Sequence, residues 1–397
     1  MARRRSRASS SNARLLTTVI VVAVLGILGF SAKSLGLIDK TTHKSLSEQH
    51  SNGQHKGHKK AQPKHHAQGH PKARHHKRQP AHHSHHHVKP KPKPAAAGGP
   101  DTLVVEPSGG FSSVYQLINH ARHSIDVTMF EFADTTAEHD LGAAAKRGVD
   151  VRVILDQKEH TTNSGAYDYF KSHGIKVVWS STKFEYTHQK TLTFDNSVSM
   201  VQTANLTQRY YPTSRDFLVK DTNPADVAAI VKVFNADFAH QPITAGDGHD
   251  LVWSPTDSER QILSVINGAR KNLRIYSEEM GFSTAIDAIE AAAKRGVDVQ
   301  VCGENSESEY TSTFEEMARD GVHVSYFSSS TGFYIHGKVV LADYGTSRER
   351  AFIGSENFSN TSLNRNRELG LITSAPSVLS AIVKVFGADF AKGHQVK

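Results

Sequence analysis

The stretch "THQKTLTFD", Thr187 to Asp195, sets His188 two residues before Lys190 and closes on Asp195. The stretch "IHGKVVLAD" repeats His336, Lys338 and Asp343 at the same spacing, 148 residues further on. Residues two apart on a strand project from one face, so each His travels with its Lys. Bringing the two copies together would gather two imidazoles and two ammonium groups in one pocket. Asn205 in "TANLT" and Asn357 in "GSENFS" follow at matched places and add amide donors. Such a set binds an anion without metal. It suits a phosphodiester, whose equatorial oxygens gain charge density during transfer.

The two histidines then divide the labour. One attacks phosphorus as a neutral imidazole, and the other protonates the leaving oxygen before deprotonating the incoming water or alcohol. Each needs its distal nitrogen fixed by a carboxylate. Asp216 in "SRDFLV" and Glu368 in "NRELGL" stand at matching positions and are the candidates. Asp195 and Asp343 lie an odd number of residues from their lysines, face away on a regular strand, and read as structural partners for turns or backbone. Glu131 and Glu279 also match; they line the site or cap a helix. Arg209 in "TQRYYP" reads as a solvated loop residue, with substrate contact as the sharper alternative. A lone strand histidine is usually structural, but two His-x-Lys pairs with matched Asn and acid are not.

These residues need a duplicated scaffold. "AAAKRGVDV" occurs verbatim at Ala143–Val151 and at Ala291–Val299, and after the trios the offset becomes 152, pairing "VFNADFA" with "VFGADFA". The four extra residues fall in "DYGTSRER". "SIDVTMFEF" reads as a strand, "AEHDLGAAAKRG" as a helix ending at Gly148, and "VDVRVIL" as a buried strand. The second half repeats that order. The pattern predicts an α/β fold built by tandem duplication, with halves at 101–248 and 249–397 and a shared pseudo-twofold site between them. Trp253 reads as core. Cys302, the chain's single cysteine, excludes an intrachain disulfide and sits in the apolar run "VDVQVC".

The doubled H-x-K-x4-D motif, followed by a G-S-x-N-like segment, resembles the phospholipase D superfamily over nearly all of residues 101–397. The resemblance implies a duplicated α/β fold, a ping-pong phosphohistidine mechanism, and no metal or other cofactor. By position it makes His188 the nucleophile and His336 the general acid. Lys190, Lys338, Asn205 and Asn357 would hold the phosphate, with hydroxyl support from Thr203 and Ser355. The first half departs from the family pattern: "QTAN" stands where "GSEN" conforms in the second, so the close backbone approach of a glycine is lost there.

The front of the chain is of another kind. The formal net charge is +8 overall, but residues 1–98 carry 19 Lys and Arg against two acids, leaving −9 for the rest. Five arginines precede 18 uncharged residues, Leu15 to Ala32, which reads as a signal-anchor or signal peptide within residues 1–40. The Arg-rich end would stay inside and the catalytic part would lie outside the cytoplasm, membrane-anchored or secreted. Residues 41–100 read as a disordered His/Lys/Pro-rich linker, with 14 of the chain's 25 histidines between residues 43 and 95. Clusters such as "HHSHHH" offer a site for metal ions. The expected function is hydrolysis of phosphatidylcholine-like phospholipids to phosphatidic acid, extending to head-group transfer. The alternative is an exported metal-independent endonuclease acting on DNA or RNA. The acidic folded part opposes a nucleic-acid groove, which would be lined with Lys and Arg. A vestigial domain on a metal-binding surface protein is a third reading, opposed by intact trios in both halves.

Overall fold

The computed structural model describes residues 101–397. The first half comprises β1 (Thr102–Val105), α1 (Ser112–His120), β2 (Ser124–Met129), β3 (Phe132–Ala133), α2 (Thr135–Lys146), β4 (Asp150–Leu155), α3 (His160–Ser172), β5 (Lys176–Trp179), β6 (Thr191–Phe194), β7 (Val198–Gln202), β8 (Leu206–Thr207), β9 (Ser214–Arg215), β10 (Phe217–Asp221) and α4 (Pro224–Phe238). The second comprises β11 (Leu251–Ser254), α5 (Ser258–Gly268), β12 (Asn272–Ser277), α6 (Ser283–Lys294), β13 (Asp298–Glu304), α7 (Thr311–Arg319), β14 (His323–Phe327), β15 (Tyr334–Ile335), β16 (Val339–Ala342), β17 (Arg350–Gly354), α8 (Asn360–Asn364), β18 (Glu368–Thr373), α9 (Pro376–Lys392) and β19 (His394–Gln395).

The two large sheets run β1-β10-β7-β6-β2-β4-β5 and β11-β18-β17-β16-β12-β13-β14-β19. Strand for strand they are the same sheet, with β19 added at one edge. In each, the Val- and Ile-rich strands that alternate with helices pair in parallel, β2 with β4 and β12 with β13. Their burial on both faces fits a parallel sheet covered by helices. Gly148 and Gly296, at φ +92° and +85°, end α2 and α6 as the repeated "AAAKRG" predicts. Side chains of α1, α2 and α3 close the outer face of the first sheet, where Ile118, Leu141 and Phe170 are buried, and α5, α6 and α7 do the same for the second. A third cluster joins the halves: Val201, Phe217 and Val219 pack with Trp253, Tyr276, Cys302, Leu369 and Phe386. Trp253 and Cys302 are core, and burial pushes the Cys302 thiol pKa up, away from thiolate chemistry.

The trio aspartates tie the hairpins to this frame. Asp195 and Asn196 both have φ near +50°, the left-handed pair that a tight β6–β7 hairpin requires. The Asp195 carboxylate accepts the backbone N–H groups of Arg122, His123 and Ser124, at 3.0, 2.7 and 3.0 Å, just ahead of β2. Asp343 accepts those of Arg270 and Lys271, both at 2.7 Å, ahead of β12. The four extra residues lie in the turn between β16 and β17. Leu15–Ala32 and the His-rich linker lie outside the described residues; among the described ones, no helix is long and apolar enough to cross a membrane.

Asp195→Ala strips three backbone donors of their acceptor and leaves alanine at positive φ. It is expected to lower stability by about 2–3 kcal/mol, read from urea midpoints, with an unchanged m-value.

Candidate active site

His188 and Lys190 do not lie within a strand of the main sheet, as the spacing suggested. β6 begins at Thr191 and β16 at Val339, so each His-x-Lys occupies the extended run just before its strand. What holds that run is the other half. Thr187 bridges Arg367 in parallel, Gln189 N donates to Arg367 O at 3.0 Å, and Arg367 N donates to Tyr186 O at 2.9 Å. On the opposite side β15 pairs in parallel with β9, Ile335 opposite Arg215, and Tyr334 N donates to Thr213 O at 2.8 Å. Each motif is thereby clasped to the segment that leads into the other half's acidic residue.

The clasp dictates a crossed pairing of histidines and carboxylates. His188 Nδ1 lies 2.8 Å from Glu368 Oε2, and His336 Nδ1 lies 2.7 Å from Asp216 Oδ1. Both acids are themselves oriented. Ser362 Oγ and Asn366 Nδ2 donate to Glu368 Oε1 at 2.6 and 2.8 Å. Thr203 Oγ1 and Ser214 Oγ donate to the two oxygens of Asp216, both at 2.6 Å. Burial works to raise both carboxyl pKa values, but the partner imidazole, the lysines and these hydrogen bonds outweigh it and hold both low. Arginines cross in the same sense: Arg215 reaches Asp389 at 2.6 Å, and Arg367 reaches Asp237 at 2.9 Å.

The lysines differ in their company. Lys190 is fully buried; its Nζ donates to His188 O at 2.8 Å and lies 4.9 Å from the centre of the Phe130 ring. Burial first, and then the charge of Lys338, bring its pKa down to about 7. Lys338 Nζ instead sits 2.7 Å from Glu278 Oε2. Burial is also the first cause that lowers His188, to about 4, with Lys190 and Lys338 adding to it against the pull of Glu368. The Phe130 ring meets His188 edge-on at 4.6 Å between centroids and forms an apolar wall on that imidazole.

The remaining candidates have these partners. The hydroxyls of Thr203 and Ser355, expected to support phosphate, are hydrogen-bonded within the protein. Thr203 serves Asp216 and accepts from Phe217 N at 2.9 Å, and Ser355 Oγ accepts from Leu369 N at 3.2 Å. Asn205 donates to Glu131 at 3.3 Å, and Asn357 donates to Glu278 and Glu279 at 3.1 and 3.0 Å. Glu131 and Glu279 therefore line the site, and the side chain that caps α2 is Asp134, accepting from Thr136 N and Ala137 N. Gly354 has a local cause: it faces Gly370 across the ladder, and the Glu356 side chain fills the space a Cβ would take at either. In the first half Gln202 faces Leu218 and Ala204 replaces Glu356, so "QTAN" removes a packing demand as well as a glycine. Arg209 is exposed and stacks over Tyr210.

Two sets of residues escaped sequence reasoning. Asp156 Oδ2 accepts Thr187 N at 2.6 Å and Glu304 Oε2 accepts Ile335 N at 2.8 Å, fixing the residue before each histidine. Their signal was present, because they match at the 148 offset, Asp156 directly after β4 and Glu304 as the last residue of β13. Glu278 gave none: its counterpart at that offset is Phe130.

A duplicated mixed α/β scaffold with two crossed histidine–carboxylate couples and two inward lysines defines a class of symmetric His/Lys anion sites. A family match then places it: the family described as "Cardiolipin synthase, PLD-like domain" matches residues 114–240 and again 262–390, and the chain belongs to the phospholipase D superfamily. Cardiolipin synthase A of Pseudomonas syringae pv. syringae (strain B728a) is 24% identical over 346 residues, 76% of this chain and 71% of that one. Among solved structures, phosphatidylserine synthase of Haemophilus influenzae Rd KW20 shares the fold with a TM-score of 0.60 at 14% identity, over 74% of this chain and 86% of that one. Polyphosphate kinase of Porphyromonas gingivalis aligns with a TM-score of 0.57 at 17% identity, over 73% of this chain; this chain spans only 50% of the kinase.

Folding lowers the Lys190 pKa from 10.5 to about 7, so as pH falls the unfolded chain takes up this proton first. The buried amine accordingly costs stability that grows from about pH 10.5 down to about 7 and is constant below. Lys190→Met is expected to raise the unfolding midpoint at pH 7 by more than at pH 10. An equal change at both would contradict the depressed amine. NMR of the His188 ring should show it neutral down to about pH 4.

Proposed function

We propose that this chain is a phospholipase D-type phosphodiesterase that opens the head-group ester of a phospholipid through a phosphohistidine on His188. The supporting observation is the unlike setting of two otherwise matched imidazoles. His188 has one carboxylate, Glu368, and an aromatic wall, Phe130, which favour the neutral ring that a nucleophile needs. His336 has Asp216 at 2.7 Å from Nδ1 and Glu278 at 3.7 Å from Nε2, so a carboxylate faces the nitrogen from which a general acid would donate.

In the first step the Nε2 lone pair of His188 forms a bond to phosphorus while the bond to the head-group oxygen breaks. His336 delivers its proton to that oxygen. In the second step an incoming water or alcohol gives its proton to His336, its oxygen bonds to phosphorus, and the P–N bond breaks. Lys190 and Lys338 neutralise the equatorial oxygens, and Asn205 and Asn357 turn their amide donors from Glu131 and from Glu278 and Glu279 to the phosphate. Asp156 and Glu304 hold the backbone that carries both rings.

The lipid substrate is supported by the relationship to a cardiolipin synthase, and head-group transfer to an alcohol is the extension of the same two steps. The charge of −9 beyond residue 98 favours a lipid diester over a polynucleotide. The apolar segment Leu15–Ala32 would anchor the chain, with the catalytic part outside the cytoplasm.

The deciding assay gives the full chain, in detergent with EDTA, phosphatidylcholine vesicles, phosphatidylglycerol vesicles and single-stranded DNA. Phosphatidic acid release that vanishes in His188→Ala is expected. Cleavage of DNA alone would replace the lipid substrate, and near-normal turnover by His188→Ala would remove the mechanism. His336→Ala should still form the phosphoenzyme from a nitrophenyl diester, whose leaving group needs no acid, but turn it over at least about 100-fold more slowly.

A further inference from the structure

The two halves present different chemistry where they face each other: Phe130 on the His188 side and Glu278 on the His336 side, at equivalent positions. Glu278 gathers the donors of its half. Lys338 Nζ lies at 2.7 Å, Tyr334 OH at 2.9 Å, Asn357 Nδ2 at 3.1 Å and His336 Nε2 at 3.7 Å from its carboxylate. Lys338 and His336 hold its pKa well below the usual carboxylate range despite burial, so it is an anion. A phosphate taking Lys338 and Asn357 withdraws two of its donors and leaves Tyr334 OH. The half-buried carboxylate then faces a second anion with fewer donors than before, a state that is costly unless new donors arrive. The amide oxygen of Asn357 is also buried and has no hydrogen-bond partner among the described residues.

Resting on the role of His336 as the acid on the leaving side, we propose that Glu278, with the Asn357 amide oxygen, forms the head-group subsite. It selects alcohols that carry a second hydrogen-bond donor, a hydroxyl or a protonated amine, close to the reacting oxygen. The donors lost to phosphate are replaced by those of the head group. By microscopic reversibility the same subsite receives the incoming alcohol, so Glu278 selects the acceptor as well as the leaving group. On the Phe130 side the Asn205 amide oxygen is likewise buried without a hydrogen-bond partner among the described residues, but a phenyl ring stands where Glu278 does, so the carboxylate alone makes the two sides unlike.

Acceptor partition tests this independently of the donor. The full chain is charged from phosphatidyl-p-nitrophenol and, in parallel, from bis(p-nitrophenyl) phosphate, with equal glycerol and propan-1-ol competing for the phosphoenzyme. The two esters are quantified by mass spectrometry. The wild type should favour glycerol by about 10- to 100-fold, the range of one hydrogen bond to a charged group. Glu278→Gln and Glu278→Phe should bring the ratio towards one. Thermal unfolding of each variant, and its nitrophenol release, report whether it is folded and charged. A ratio near one in the wild type, including transfer to neither alcohol, overturns the proposal, as does a ratio unchanged by both substitutions. Charging from the soluble diester but not from the lipid would instead remove the phospholipid reading, while the acceptor ratio still decides the role of Glu278.

Discussion

The site depends on a backbone constraint: each histidine-bearing run is hydrogen-bonded, in parallel, to the segment that precedes the acid of the opposite half. Because the pairing is between halves, the carboxylate that orients each imidazole must come from across the pseudo-twofold axis. The register then needs no side-chain adjustment to bring His188 to Glu368 and His336 to Asp216. Arg215–Asp389 and Arg367–Asp237 repeat the crossing deeper in the protein, where each arginine ties the neighbouring strand to the other half's C-terminal helix. Paired and buried charges of this kind add little net stability, but one without its partner is heavily penalised, so they specify one docking of the halves.

Upon this symmetric frame the chain lays unlike side chains. Phe130 against Glu278, Ala204 against Glu356 and Gln202 against Gly354 occupy equivalent backbone positions. The first half sets an aromatic ring against its lysine and histidine; the second sets a carboxylate there. Desolvation and nearby charge act in opposite directions on an imidazole, and around His188 desolvation is the larger, holding its pKa low against the pull of Glu368. The two copies of the motif thus differ through their neighbours and not through the motif itself.

Much of this was legible in the sequence because duplication prints it twice. The offsets 148 and 152 located the trios, the asparagines, the acids and the extra turn residues, and helix stops at Gly148 and Gly296 followed from local chemistry. What was misread lay where tertiary pairing overrides strand periodicity: the His-x-Lys runs precede their strands and are held by the other half. Matching positions also did not say which histidine meets which acid, since that depends on how the sheets dock. Glu278 was invisible for the opposite reason: a residue that breaks the repeat is the kind a search for repeats passes over.

The crossed clasp also speaks to origin. A single copy of this half, standing alone, would hold a histidine with no carboxylate behind it and an arginine with no aspartate. Two identical copies related by a true twofold axis would complete both sites at once, residue for residue, as isologous interfaces do. Such a pair, however, cannot place phenylalanine on one side of the axis and glutamate on the other. Carrying both copies in one chain lifts that constraint, and the Phe130/Glu278 pair shows the two sides made unlike.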